Sequence, residues 1–92
     1  MNLVWDAEKA DANLEKHQVS FHDAASVFSD PLSTTFPDPD HSEGERRFLT
    51  IGASRSGALL VIAHTEQEDT IRIISARPVT RPERKFYEEK ED

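Results

Sequence analysis

The chain has no cysteine, one tryptophan, one tyrosine, one methionine and three glycines in 92 residues. Without cysteine there is no disulfide framework and no zinc site built on thiolates. No apolar run approaches the ~20 residues that a membrane-spanning helix needs. The longest, Ala58 to Ala63, has the length of a strand. Residues Met1 to Asp6 carry neither a basic segment nor a long apolar one, so they do not read as a signal peptide. The expectation is a cytoplasmic protein that does not engage a membrane. The glycine-rich phosphate loops and the G-x-S-x-G elbow are missing as well. Among the histidines there is no H-E-x-x-H: His17 and His22 fall across an expected helix break, and His41 and His64 stand alone. We expect no metal and no cofactor.

What the chain does have is charge, unevenly spread. One domain over residues 1–92 is expected at this length. The net charge is −7, yet residues 1–45 carry −8, residues 46–85 carry +4 and residues 86–92 carry −3. All seven arginines lie between Arg46 and Arg84. That pattern suggests one positive face on a negative body.

Periodicity predicts an order of elements. Leu3 to Trp5 reads as a strand. Asp6 then caps a helix over Ala7 to His17, with Ala10 and Leu14 expected on its buried side. Ser20 opens a second helix whose Phe21, Ala24, Ala25 and Phe28 form one face, ended by Asp30-Pro31. A polar connection with Pro31, Pro37, Pro39, Asp38, Asp40 and Glu43 follows, holding a short edge strand near Ser33 to Phe36. Three strands over Arg47 to Gly52, Ala58 to Thr65 and Thr70 to Arg77 are joined by the turns Ser54 to Gly57 and Glu66 to Asp69, an antiparallel meander. Thr80 and Glu83 frame a last helix containing Phe86 and Tyr87, followed by an acidic tail. The expected class is α+β, an antiparallel sheet in β-α-α-β-β-β-β-α order with helices packed against it.

The polar residues left over are Lys16, His17, Glu45, Arg46, Arg72, Ser75, Arg77, Glu83, Arg84 and Tyr87. Such a set suits one metal-free chemistry, cleavage of RNA by its own 2′-hydroxyl. A base removes the hydroxyl proton, arginines stabilise the charge that builds on the phosphate, and an acid protonates the leaving oxygen. Arginine fits the phosphate because its planar fork matches two oxygens and never loses its charge. Each residue also has a plain structural role open to it. Arg77 can pair with Glu83 or Glu45, His17 can cap its helix, and Tyr87 can be a core aromatic. Arg72 and Arg77 are five apart, so a regular strand points them to opposite faces. They share a site only if a bulge or the strand's end re-aims one of them.

An ordered series of segments resembles the BrnT family of toxins from type II toxin–antitoxin systems. It comprises Trp5-Asp6 with Lys9 and Asn13, Lys16-His17 with Val19 and Phe21, Ala24-Ala25, Asp30-Pro31, Glu45-Arg46, Gly52, the run Ile71 to Arg77, Glu83-Arg84 and Tyr87. The resemblance implies a RelE-like fold and an endoribonuclease that arrests translation. It implies a BrnA-like antitoxin partner with a ribbon-helix-helix domain, an RNA substrate, and operator DNA bound only through the antitoxin. On this reading Glu45, Arg72, Arg77, His17 and Tyr87 are the candidate catalytic residues. Lys16, Arg46 and Arg84 are the candidate phosphate contacts. RelE-like toxins are usually basic, and this chain is acidic. The alternative is a weak or inactive relative that serves as an antitoxin-binding co-repressor module.

Overall fold

The computed structural model describes residues 1–41 and 44–89, with His41 described by its main chain only. Glu43 of the polar connection and the last three residues of the acidic tail lie outside the described residues. The elements are β1 (Asn2–Trp5), α1 (Ala7–His17), α2 (Phe21–Ala25) running into a 3-10 turn (Ser26–Ser29), β2 (Thr34–Pro37), a short 3-10 turn (Pro39–His41), β3 (Arg47–Ala53), β4 (Leu59–Gln67), β5 (Thr70–Pro78) and α3 (Arg81–Glu89). The α+β class and the order of elements are those expected from the sequence.

One five-stranded sheet runs in the order β1-β5-β4-β3-β2. The four later strands pair antiparallel with one another, whereas β1 lies parallel to β5, so the sheet is mixed. The parallel pair arises because the whole chain passes between the two strands, and nothing local to either strand announces it. The second hairpin is tighter than the turn Glu66 to Asp69. Glu66 and Gln67 pair with Ile71 and Thr70, leaving Glu68 and Asp69 as a two-residue turn, with Glu68 at φ 55.

The unbroken apolar run of β4 is covered on both faces. On one, Leu60 and Ile62 pack with Ile73, Ala76, Phe21, Ala24 and Val27 beneath α1 and α2. On the other, Val61 packs with Ile51 and Tyr87 beneath α3, extended by Phe36, Leu49, Ala53 and Val79. The three most buried side chains of the α2 segment, Phe21, Ala24 and Val27, come from the apolar face expected there or beside it.

Helix α1 departs from its expected packing. Asp6 caps it, accepting from the Lys9 N–H at 3.0 Å. Leu14, however, is half exposed and Asn13 is buried. The cause lies in β5. Strand β1 covers the edge of β5 only from Thr70 to Ile73. Beyond it, the Asn13 amide completes the edge: Oδ1 accepts from the Ala76 N–H at 3.0 Å, and Nδ2 donates to the Ala76 carbonyl at 2.9 Å and to the Val19 carbonyl at 3.0 Å. Burying the edge groups of Ala76 unpaired would cost more than exposing one leucine gains, which orients the helix. We expect Asn13→Leu to destabilise the fold by about 2–4 kcal/mol, since it leaves several buried groups without partners. Urea unfolding monitored through Trp5 measures this.

A second tie joins the two layers. Asp30, just past the 3-10 turn, accepts from the Leu32 N–H at 2.9 Å, the Ala53 N–H at 2.8 Å and the Tyr87 hydroxyl at 2.6 Å. Gly52 lies beneath it. A Cβ there would stand 2.8 Å from Val27 Cγ1 and 2.9 Å from Ser33 Cβ, so only glycine allows the backbone to approach this closely.

Candidate functional site

The site is built on β5 and depends on an irregularity in that strand. Ala63 pairs with Ser75, but the next residue of β4, His64, pairs with Ile73, so Ile74 is an extra residue without a partner. This bulge resets the alternation of side chains. Arg77 then pairs with Val61 and Arg72 with Thr65, four residues apart on β4. Both arginines therefore point to the face that carries α3, roughly 13 Å apart along the strand at 3.3 Å per residue. The condition that five-residue spacing imposed on a shared site is met by the bulge.

At one end of this face Arg72 Nη2 donates to Glu45 Oε1 at 2.5 Å. Both side chains are about half exposed. The pair lines a cavity of about 350 Å³ that also takes in Val4, Thr65 and Thr70. Arg72 reaches into a second cavity of about 240 Å³ beside it, lined by Asp6, Lys9, Arg47, Ile73 and Ile74.

At the other end, Arg77 makes a two-pronged bond with Glu83, Nη1 to Oε1 at 2.8 Å and Nη2 to Oε2 at 3.0 Å. Glu83 also accepts from the Thr80 N–H at 2.8 Å, and Thr80 caps α3 in return. The bonds from Arg77 pull the Glu83 carboxyl down to about 2, against the upward push of burial and with help from Thr80. Glu83 in turn holds the Arg77 guanidinium above its ordinary value. Arg77 thus anchors the start of α3 while keeping 38% of its side chain exposed.

The remaining sequence candidates fall elsewhere. Tyr87 is buried, and its hydroxyl donates to Asp30, so it fastens α3 to the sheet. Lys16 and His17 close the last turn of α1, one turn beyond Asn13 and its bonds to Ala76. That places them toward the Arg77 end of β5. Lys16 is exposed and His17 half-buried. Arg46 is exposed with its guanidinium 5.4 Å from the Phe48 ring centre. Phe48 stacks on His64 and belongs to the opposite face, so Arg46 is turned away from Arg72. Arg84 is exposed on α3. The structure brings together Glu45 with Arg72 and aligns Arg77 on the same face. It does not bring Tyr87, Arg46 or Lys16 into contact with them.

Two cations that line the second cavity, Arg47 and Lys9, were not among the candidate catalytic or phosphate-binding residues. Arg47 pairs with Thr65, which pairs with Arg72, so the three form a row across the sheet. The alternation of β3 held the signal: Leu49 and Ile51 lie under α3, and Arg47 shares their parity whereas Arg46 does not. Lys9 gave no such signal, since an exposed lysine in a first helical turn has no fixed direction. Among the described residues, no three His, Asp or Glu side chains are grouped to hold a metal ion.

Comparison with known proteins follows the same lines. Residues 5–83 match the family described as the ribonuclease toxin, BrnT, of type II toxin–antitoxin systems. Among solved structures, the Brucella abortus ribonuclease toxin BrnT superposes with a TM-score of 0.68 at 21% identity, over 88% of this chain and 99% of that one. At this identity the superposition speaks for the fold. No curated protein matches the chain.

Proposed function

Because the chain belongs to the BrnT family of ribonuclease toxins of type II toxin–antitoxin systems, we propose that it cleaves RNA on the Arg72–Arg77 face without a metal, and thereby arrests translation. The observation that carries this reading is the bulge at Ile74, which puts two arginines on one face of the sheet, where Arg72 meets the carboxylate of Glu45. Glu45 is the base that takes the 2′-hydroxyl proton. The 2′-oxygen attacks the adjacent phosphorus, the bond to the 5′-oxygen breaks, and a proton reaches that leaving oxygen. The products are a 2′,3′-cyclic phosphate and a free 5′-hydroxyl. Arg72 stabilises the charge that builds on the phosphate oxygens. Its bond to Glu45 orients the base before RNA arrives, and the incoming phosphate then shares the guanidinium. Arg77 has one function in the fold and a second toward the substrate through its exposed part. Lys16 and His17 stand toward the Arg77 end, where they are placed to meet the RNA backbone beyond the phosphate held at Arg72.

A type II toxin has an antitoxin partner. Here we expect a BrnA-like protein with a ribbon-helix-helix domain, through which the complex reaches operator DNA. The site of action is the cytoplasm. No helix of the described residues is long and apolar enough to cross a membrane.

The test is cleavage of end-labelled RNA by the purified chain in EDTA, with two variants that both break the Arg77–Glu83 pair. Glu83→Gln should lower stability and leave cleavage within a few-fold of wild type. Arg77→Ala should lower cleavage ~10²-fold at equal folded protein, the cost of losing one transition-state contact. Equal effects from the two variants would assign Arg77 to the fold alone. A wild type that cleaves no RNA and does not stop growth when expressed alone would favour the co-repressor reading, for which the acidic surface of the first 45 residues speaks.

A further inference from the structure

The apolar stripe of α1 is left partly uncovered. Because Asn13 reaches for β5, the helix is turned so that Leu14 stands half exposed beside a groove between α1 and the start of α2. The groove has a volume of about 250 Å³. Ala7, Ala10 and Leu14 line it from α1 at i, i+3 and i+7, together with Trp5 and Phe21. Across it lies His22, its ring edge-on to Trp5 at 4.9 Å. Beside the stripe runs a row of acids. Glu8, Asp11 and Glu15 follow it at the same spacings, and all three are exposed. Among the described residues, none of their carboxylates makes an ion pair or a hydrogen bond. Like charges three and four apart on a helix repel one another, and Glu15, in the last turn, also meets the negative end of the helix dipole. The lysines of α1, Lys9 and Lys16, lie on its other flank.

We propose that this groove takes an amphipathic helix of the antitoxin, whose large aliphatic side chains enter beside Leu14 and whose lysines or arginines meet Glu8, Asp11 and Glu15. This deepens the reading of an antitoxin partner and rests on it. A helix suits the groove because apolar anchors at i, i+3 and i+4 run along one side of it, as the stripe of α1 does. Cations on its flank relieve the repulsion within the acidic row. The same row disfavours an RNA strand, and a second copy of this chain would bring one net charge of −7 against another. The groove lies on the α1 and α2 side of the sheet, whereas Arg72 and Arg77 point to the side of α3. Docking can therefore be disabled without touching the proposed cleavage site.

The probes are the proteins encoded in the two reading frames adjoining this one, each purified and tested against the full chain by biolayer interferometry at low and high salt. Leu14→Glu keeps a good helix former at an exposed position, so the fold should survive, as circular dichroism checks. It should weaken binding about tenfold or more, since it sets a charge at the centre of the contact. Leu14→Met, close in volume, should restore most of the affinity. Glu15→Lys should slow association several-fold at low salt and flatten its salt dependence. Glu88→Lys makes the same change in net charge on α3 and should do neither. If Leu14→Glu binds as tightly as wild type, the groove is wrong and the antitoxin reading stands. Equal effects of Glu15→Lys and Glu88→Lys would overturn the basic flank of the partner. If the chain is a dimer by light scattering and Leu14→Glu makes it a monomer, the groove belongs to a second copy instead. If wild type binds neither adjoining product, the antitoxin reading falls, and the groove proposal with it.

Discussion

Arg72→Ala is expected to reduce RNA cleavage by ~10²–10³-fold, the range seen when one preorganised donor to a developing oxyanion is removed. It should do so with little loss of stability. The Arg72–Glu45 pair is about half exposed at both ends, and ion pairs of that kind contribute ~0–1 kcal/mol. Arg72→Lys should recover only part of the rate, because an ammonium keeps the charge and loses the fork that meets two phosphate oxygens. Glu45→Gln should lower kcat, because an amide cannot take the 2′-hydroxyl proton. Both measurements use one gel-based cleavage assay in EDTA, with folded protein quantified by circular dichroism. Full activity of Arg72→Ala would place the chemistry elsewhere on the molecule.

Acidification should destabilise the fold through His64 well before the carboxylates titrate. His64 lies on β4 in the core beneath α2, fully buried, with Phe28 edge-on at 5.0 Å and Phe48 stacked at 5.9 Å. Its Nε2 is 2.7 Å from the Thr50 hydroxyl, which meets the Thr35 hydroxyl at 2.7 Å. Its Nδ1 has no hydrogen-bond partner, and Glu66 is 3.8 Å away, beyond hydrogen-bond reach. Burial pushes the imidazole from 6.5 down to about 4, opposed by a weaker backbone contact at Thr65. Between those values the unfolded chain binds a proton that the folded chain refuses, so stability rises with pH across that window. Lowering the pH from 7 to 4 should therefore remove about 3 kcal/mol through this one residue, at 1.36 kcal/mol per unit. The loss from Glu83 has the same sign but falls lower, as the pH drops from 4.5 toward 2. Urea unfolding at several pH values separates the two. His64→Gln should flatten the dependence between pH 4 and 6.5 and leave the lower window in place. An unchanged slope in that variant would show that His64 is not the group responsible.

Local chemistry made most of the framework legible. The capping residues Asp6, Ser20 and Thr80 all cap the helices that they were expected to open. The apolar run of β4 marked the centre of the sheet because only a strand covered on both faces can bury it throughout. The candidate site was legible as residue types rather than as a place. Arg72 and Glu45 were both singled out, yet 27 positions separate them in the chain, and their contact depends on how β2, β3 and β5 assemble.

What was misjudged shares one cause. Leu14 looked like a core residue and is half exposed, because periodicity registers hydrophobicity and not the strand edge that Asn13 completes 63 positions away. The bond from the Tyr87 hydroxyl to Asp30 joins residues 57 positions apart, and no local pattern announces it. Arg46 and Arg47 are neighbours with the same charge, and only the register of β3 against β4 decides which of them faces Arg72.

By itself the sequence determined the class of fold, the helix ends and the central strand, since these follow from capping and alternation within short windows. The tertiary structure alone decided that β1 joins the sheet parallel to β5, that Asn13 stands in for the missing strand edge, and that Ile74 is the extra residue in β5. Pairing register is settled by the fit of whole strands against one another, and a single unpaired residue reverses the facing of every side chain beyond it. That reversal puts Arg72 and Arg77 on one surface.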